Sequence, residues 1–279
     1  EEIEKVFSLK GKILQDKLYT TKKMKLYFDQ NNQKFTIYRM FFKTLTDRKR
    51  CYYKIKNKSF KIGTKHTKIL AHEHEASPIL QFLCKKNIPS CGWVEFKGMN
   101  VNQQNRFTKN SKEYKVNISQ IEGLFNIAKV PEFRFMSFDL EVYSSDDGRM
   151  PQSHLDTDCI FQIGVYTNYG GGRLLTLGKT MFDLPSTQVS IFENEKQLLE
   201  SFCKLIVNEN PHVLLGYNIF KFDVPYLVNR CKRYKIPIDS IGMPKEKKAE
   251  FKEVKWSSSA YAFQEFYYLD LEGRLSIDL

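Results

Sequence analysis

The sequence lacks the close cysteine pairs that zinc ribbons and zinc fingers require. Its six cysteines, at positions 51, 84, 91, 159, 203 and 231, include no Cys-x2-Cys pair. Because four ligands must reach one ion, scattered cysteines disfavour a structural zinc site. They predict reduced, partly buried thiols in an intracellular protein.

Long hydrophobic runs are also lacking. No stretch of about 18 apolar residues occurs, which excludes a transmembrane helix, and we expect no membrane partner. The charged start, Glu-Glu-Ile-Glu-Lys, is followed by no signal-like apolar segment. The chain begins with Glu rather than Met and ends inside the alternating run Ser-Ile-Asp-Leu, so we expect a piece of a longer polypeptide.

The whole chain has a net charge of +12, and acidic residues are scarce in its first half. Residues 1–130 contain 27 Lys and Arg against 11 Asp and Glu, whereas residues 131–279 contain 17 against 21. A basic module joined to a carboxylate-bearing one indicates a nucleic-acid partner. The alternative is a solvated basic surface that binds nothing.

The residue patterns predict two domains with a boundary near Pro131. The first, over residues 1–130, is expected to be mixed and β-rich, with strands at 35–42, 51–56 and 92–96. A helix is expected from Ser77-Pro78 to near Asn87, and residues 100–115 are expected to be loop or a charged edge.

The second domain, over residues 131–279, is predicted to have an α/β fold. Three strands, a helix, a strand and a second helix are expected in that order, at 133–142, 159–167, 173–177, 195–207, 213–217 and 224–234. Periodicity alone supports no finer assignment than α/β.

Two acids, Asp139 and Glu141, stand two residues apart at the end of an apolar run. In a strand they project from one face with Cα atoms roughly 7 Å apart, close enough to share a divalent cation. The alternative is an edge strand with solvated acids. A third acid, Asp223, precedes Val224-Pro225 at a predicted helix start, where an N-cap is the ordinary role. Capping and metal binding are compatible.

Two motifs together carry a resemblance. Asp139-Leu-Glu141 and Gly216-Tyr217-Asn218-Ile-Phe-Lys-Phe222-Asp223 resemble the first two exonuclease motifs of family B DNA polymerases, Asp-x-Glu and Asn-x3-Phe-Asp. The segments 76–83, 91–95 and 273–279 are also similar to sequences of this family, in its eukaryotic delta and large DNA virus types. The resemblance implies a family N-terminal domain over 1–130 and an incomplete ribonuclease-H-like 3′–5′ exonuclease domain over 131–279.

This sequence departs from the family pattern in two places. Val142 stands where the family commonly has Thr after the first motif. The third motif, Tyr-x3-Asp, is missing after the second: Asp270 follows Phe266, and Asp278 follows Arg274, at that spacing. We therefore expect the third-motif acid beyond Leu279, and weak or no nuclease activity from this chain alone.

The resemblance implies proofreading hydrolysis of DNA during replication, by a mechanism with two Mg²⁺ ions for which Mn²⁺ can substitute. The implied catalytic and metal-binding residues are Asp139, Glu141 and Asp223, where Asp139 bridges both ions, Glu141 holds the nucleophile-side ion and Asp223 supports the second. The implied DNA-binding residues are Tyr217, Asn218 and Phe222.

The partners implied are the primer 3′ end and single-stranded template DNA, and a processivity factor is a candidate. The site of action implied is a nucleus or a viral replication site. Two alternatives stay open: a freestanding DEDD-type nuclease, and a non-catalytic nucleic-acid-binding module that keeps an exonuclease-like fold.

Overall fold

The computed structural model describes residues 19–23, 35–62, 64–180, 184–245, 249–257 and 263–279. The chain divides into two compact units, one formed by Glu1–Val94 with Glu122–Phe125 and the other by Glu95–Ile121 with Asn126–Leu279. The two functional domains expected on either side of Pro131 stay a prediction, because the compact units do not divide the chain at that residue.

Short hairpins and two helices make up the described part of the first unit. Strand β1 pairs antiparallel with β2, and β3 pairs antiparallel with β4. The elements are β1 (Tyr19–Lys23), β2 (Phe35–Arg39), α1 (Leu45–Ile55), β3 (Ser59–Ile62), β4 (Lys65–Lys68) and α2 (Pro78–Lys85).

The strand predicted over 51–56 is wrong, because this segment completes helix α1. Thr44 caps the helix: its side chain accepts a hydrogen bond from the Asp47 N–H at 3.1 Å. Cys51 and Ile55, four residues apart, bury one face of α1 beside Phe60. The cap and this spacing outweigh the strand preference of the aromatic residues.

The helix predicted after Ser77 is present as α2. Pro78 is its first residue, where the missing proline N–H has no intrahelical partner to lose. Of its apolar residues, Ile79 and Leu80 are exposed, whereas Phe82 and Leu83 are half-buried.

A pair of longer strands, β5 (Trp93–Asn100) and β6 (Tyr114–Leu124), follows. The strand predicted over 92–96 is the first part of β5. Between the strands, the carboxylate of Glu113 accepts hydrogen bonds from the backbone N–H groups of Phe107 and Thr108. The segment predicted as loop therefore has defined local structure, including a 3-10 turn at Gln103–Asn105.

A mixed six-stranded sheet organises the second unit, in the order β10-β9-β8-β7-β11-β14. Strands β7, β8 and β9 are antiparallel neighbours, whereas β10, β11 and β14 join by parallel pairing. The elements are β7 (Phe135–Val142), β8 (Ile160–Thr167), β9 (Gly171–Leu177), β10 (Thr187–Phe192), α3 (Glu195–Glu209), β11 (Val213–Gly216), α4 (Asp223–Arg233), β12 (Glu250–Trp256), β13 (Gln264–Asp270) and β14 (Leu275–Asp278).

Successive side chains of β7 alternate between the hydrophobic core and the face that carries the two acids. Met136, Phe138 and Leu140 are buried, and the core that contains Phe138 also contains residues of α3 and α4. Asp139 and Glu141 alternate with these residues and are exposed. The two acids therefore lie on the face of β7 opposite the helices. None of the helices described is both long and apolar enough to cross a membrane.

Candidate functional site

The first two acids lie at an irregular point of the sheet. Asp139 pairs with Gly164 and Glu141 with Gln162 of β8, but the register shifts immediately after Glu141. Val142 pairs with Ile160, so one residue of β8 is left unpaired as a bulge. Bulges bend a strand and redirect side chains, and they are frequent next to active sites.

The third acid, Asp223, approaches β7 from the neighbouring strand's side. It is buried, and its Oδ1 atom accepts a hydrogen bond from the Leu140 N–H at 3.0 Å. Strand β11 pairs with β7 only as far as Ser137. The Leu140 N–H lies beyond this pairing, and Asp223 supplies the acceptor that a longer β11 would have provided.

Asp223 does not cap its own helix. It is the first residue of α4, and Phe222 occupies the N-cap position without any side-chain hydrogen bond to the helix. The capping role considered from the sequence is therefore wrong. The carboxylate points instead to the strand that carries the other two acids.

Negative charge accumulates around Asp223. Burial raises its pKa to about 6; the hydrogen bond from Leu140 opposes this rise, and the charges of Asp139 and Asp278 add to it. A carboxyl group in this setting is favoured in its neutral form unless a cation offsets the charge. Hard carboxylate oxygens suit Mg²⁺ or Mn²⁺ as the offsetting cation.

The three predicted acids lie near one another but do not form a complete metal site. Asp139 lies close enough to Asp223 to shift its pKa, and Glu141 follows two residues along the same strand face. Within the described ranges, no three His, Cys, Asp or Glu side chains come together in an arrangement that could hold a metal ion. The donor chemistry fits a divalent cation, and complete coordination requires side-chain rearrangement or further ligands.

The turn between β11 and α4 carries the three residues predicted to bind DNA. Tyr217 is 80% exposed, and Asn218 is exposed with a left-handed φ of 57°. Phe222 is half-buried, with its ring centroid 5.4 Å from that of Tyr226. The turn thus presents two accessible side chains and one partly accessible ring.

The start of this turn requires glycine. A Cβ atom on Gly216 would lie 2.8 Å from the carbonyl oxygen of Phe138 and 2.3 Å from a side-chain carbon of Ile219. No side chain fits there without a backbone shift. The close approach brings the end of β11 directly against β7.

Sequence reasoning missed the role of Asp278, which it considered only as a third-motif acid. The Asp278 carboxylate accepts hydrogen bonds from the backbone N–H groups of Ile219 and Phe220, 59 and 58 residues earlier in the chain. The only sequence signal is an acid in an alternating apolar run. The contact depends on parallel pairing of β14 with β11, which no local pattern reveals.

A buried ion pair behind the site was also missed. Arg230 of α4 binds Glu195 of α3, and both side chains are almost completely buried. Glu195 also accepts a hydrogen bond from the Ile160 N–H, and Arg230 donates to the carbonyl oxygen of Leu155 at 2.7 Å. This network fixes the segment that leads from the acids of β7 into β8.

Comparison with known proteins identifies a family. The family model of the DNA polymerase family B exonuclease domain matches residues 69–279. The chain is 36% identical over 236 residues to DNA polymerase 120R of Invertebrate iridescent virus 3, which covers 78% of this chain and 21% of that protein. It is 28% identical over 224 residues to the DNA polymerase delta catalytic subunit of Schizosaccharomyces pombe, and this alignment covers 76% of this chain and 20% of that protein.

These curated relatives are much longer, and the chain spans about a fifth of their length. Among solved structures, the family B DNA polymerase from the hyperthermophilic archaeon Pyrobaculum calidifontis has a TM-score of 0.64 at 15% identity, over 99% of this chain and 30% of that one. At this identity the likeness concerns the fold alone. The predicted α/β architecture with a ribonuclease-H-like exonuclease domain is confirmed.

Proposed function

The chain belongs to DNA polymerase family B, and we propose that it is the N-terminal and exonuclease portion of a DNA-directed DNA polymerase that proofreads during replication. Residues 131–279 would remove a mispaired 3′-terminal nucleotide by hydrolysis. The observation that carries this proposal is the hydrogen bond from Leu140 to Asp223, because Leu140 lies between Asp139 and Glu141. It brings Asp223 against a strand residue 83 positions earlier in the chain, and so beside Asp139 and Glu141.

The residues that would hold the metal are Asp139, Glu141 and Asp223, with two Mg²⁺ ions as the natural cofactor and Mn²⁺ as a substitute. Such ions, when bound, supply the Lewis-acid chemistry for attack of water on the terminal phosphodiester and for departure of the 3′ oxygen. The chain itself fixes the donors: β7 sets the spacing of two acids, and the start of α4 holds the third against the same strand.

The turn before α4 would receive the frayed 3′ end. Tyr217 and Phe222 offer rings for base stacking, which tolerates any base, and Asn218 offers a hydrogen-bonding amide. A mispaired end unpairs at lower cost and so reaches the site more often. The basic residues of the first 130 positions would contact template phosphates. A processivity factor, and a nuclear or viral site of action, stay predictions.

Metal binding tests the proposal directly. Binding of Mn²⁺ is measured by electron paramagnetic resonance for the 279-residue chain, for Asp139→Asn and for the control Glu200→Gln, which changes a half-buried acid of α3. Replacing a residue that only hydrogen-bonds to a metal ligand lowers metal affinity roughly tenfold or more. We expect Asp139→Asn, which changes a ligand itself, to lower the affinity for Mn²⁺ by at least this factor, and Glu200→Gln to match the wild type. Equal affinity in all three would contradict the metal site and favour a non-catalytic binding module.

The identity of the parent protein has its own test. Sequencing the reading frame beyond Leu279 is expected to show Tyr-x3-Asp, followed by the Asp-bearing polymerase motifs. An immediate stop codon would contradict the polymerase proposal. A freestanding nuclease would then also need its fourth acid from within these 279 residues.

A further inference from the structure

The last described strand carries a carboxylate that binds the backbone of the turn before α4. The Oδ1 atom of Asp278 accepts a hydrogen bond from the Ile219 N–H at 3.0 Å, and its Oδ2 atom accepts one from the Phe220 N–H at 3.2 Å. Successive backbone N–H groups can form a concave site for an anion. Both oxygens of Asp278 are thus occupied by the turn.

Strand pairing places Asp278 beside this turn. Strand β14 runs parallel to β11, and Asp278 is in register with Gly216, the residue at which β11 ends. The N–H of Leu279 donates to the carbonyl oxygen of Gly216 at 3.0 Å. The carboxylate is therefore held at the point where the turn begins.

The same stretch of backbone is also held from the other direction. The carbonyl oxygen of Phe220 accepts a hydrogen bond from the Tyr267 N–H of β13 at 3.0 Å. The ring of Phe220 stacks on Phe266 with a centroid distance of 6.1 Å and an interplanar angle of 14°. Ile219 is buried. Residues 219 and 220 therefore form the fixed part of the turn.

The residues on either side of this fixed part, Asn218 and Phe222, are more accessible than Ile219. Asn218 precedes it, is exposed, and adopts a left-handed conformation. The N–H groups of Lys221 and Phe222 donate to the carbonyl oxygen of Asn218 at 3.3 and 3.4 Å. The directions of the Asn218 and Phe222 side chains thus depend on the backbone that Asp278 holds.

We propose that Asp278 is a positioning residue of the exonuclease site, which sets the turn 217–222 so that Asn218 and Phe222 receive the 3′-terminal nucleotide of a single DNA strand. This inference rests on the proposed function, because it requires the turn to meet a DNA end. Asp278 acts through the turn and does not contact the DNA. A role as a metal ligand fits less well, since both of its oxygens face backbone N–H groups.

The test uses Asp278→Asn, which keeps the shape of the side chain but replaces one acceptor oxygen with an NH2 group. The probe is oligodeoxythymidine about twelve nucleotides long, with 2-aminopurine at its 3′ end, whose fluorescence falls on stacking. We expect the variant to bind about five- to tenfold more weakly, as loss of a charge-assisted hydrogen bond predicts. At saturation the quenching should also be smaller than in the wild type.

Controls separate positioning from loss of fold or charge. Asp270→Asn removes a charge from a half-buried carboxylate of β13 that is paired with Lys252, and it should bind as the wild type does. Asn218→Gly removes the side chain and keeps the left-handed backbone. In that background, Asp278→Asn should weaken binding less than in the wild type, because the two residues act through one turn.

Each outcome has one meaning. Unchanged affinity and saturating quenching in Asp278→Asn, or additive effects with Asn218→Gly, would overturn the positioning role and leave the proposed function standing. Weaker binding in proportion to a lower folded fraction, with normal quenching at saturation, would also overturn it. A wild-type chain that does not bind the probe would overturn the proposed function, and the inference with it.

Discussion

The carboxylate of Asp223 accepts a hydrogen bond from the backbone N–H of Leu140, with 3.0 Å between oxygen and nitrogen. Leu140 stands between the two acids of β7, so the bond ties the start of α4 to the strand segment that carries them. It also places a buried carboxylate beside the charge of Asp139. The site is thus held together by a group that is itself costly to ionise.

This cost predicts a pH-dependent stability. The pKa of Asp223 rises from 3.8 to about 6 on folding, because of burial and the nearby charges. Between these values the folded state keeps a proton that the unfolded state has lost, so the free energy of unfolding falls as pH rises through this window. Urea unfolding of Asp223→Asn at pH 8 should show a gain of about 1–3 kcal/mol over the wild type.

Near pH 4 the same substitution should change stability little, because the wild-type carboxyl is then largely neutral in the folded state. Asp270→Asn, at a half-buried position of β13, is the matched control and should leave the pH dependence unchanged. A wild-type free energy of unfolding that rises from pH 4 to 6 in step with Asp223→Asn would contradict the assignment.

Asp139 should have effects of opposite sign with and without metal. Without metal, Asp139→Asn removes a charge that raises the pKa of Asp223, so it should raise the melting temperature at neutral pH. With Mn²⁺ at a hundred times its dissociation constant, the wild type should gain about 2.7 kcal/mol, and the variant much less. Calorimetry with and without Mn²⁺ measures both, and the same sign in both conditions would refute the prediction.

Two arginines of α4 provide a matched test of burial. Arg230 pairs with Glu195 inside the protein, whereas Arg233 pairs with Asp156 at the surface. Arg230→Met leaves a buried carboxylate without its partner and should cost about 3–5 kcal/mol in urea unfolding. Arg233→Met should cost less than about 1 kcal/mol. Equal costs would show that the buried pair does not stabilise this unit as its geometry indicates.

The basic first half should make DNA binding depend on salt. Lys61 and Lys68 are exposed and lie on the same face of the β3–β4 hairpin. If both contact phosphates, replacing them with Ala should reduce the slope of log K against log salt by about 1.4 for a single strand. Lys196→Ala on α3 is the control, and fluorescence anisotropy at several salt concentrations provides the measurement. An unchanged slope would exclude this hairpin from the DNA contact.

The alternation of β7 was readable from the sequence because strand periodicity is local. Met136 and Phe138 are buried and Asp139 is exposed, as that alternation indicates. The family motifs likewise located the turn that leads to Asp223. What could be predicted was therefore the chemistry of each segment and the face on which its side chains lie.

The contacts between segments could not be read in this way. No residue pattern near Asp278 indicates that it binds a turn 59 residues earlier in the chain. Likewise, the sequence of strand β10 does not indicate that the strand pairs in parallel with β9 at the edge of the sheet. In the second half of α1, the residue composition predicted a strand, whereas the cap at Thr44 stabilises a helix. Tertiary pairing and capping chemistry outweighed propensity in these places.

The contacts that build this site span 83 and 59 residues of sequence, and they bear on how the protein folds. Long loops must close before such contacts form, so they arise late, after local hairpins and helices. Until β7, β11 and β14 have paired, the acid pair of β7, Asp223 and Asp278 belong to three separate segments of an unfolded chain. A nascent chain emerging from the ribosome therefore carries the acids of the proposed site before the site exists, because their arrangement forms only with the native topology.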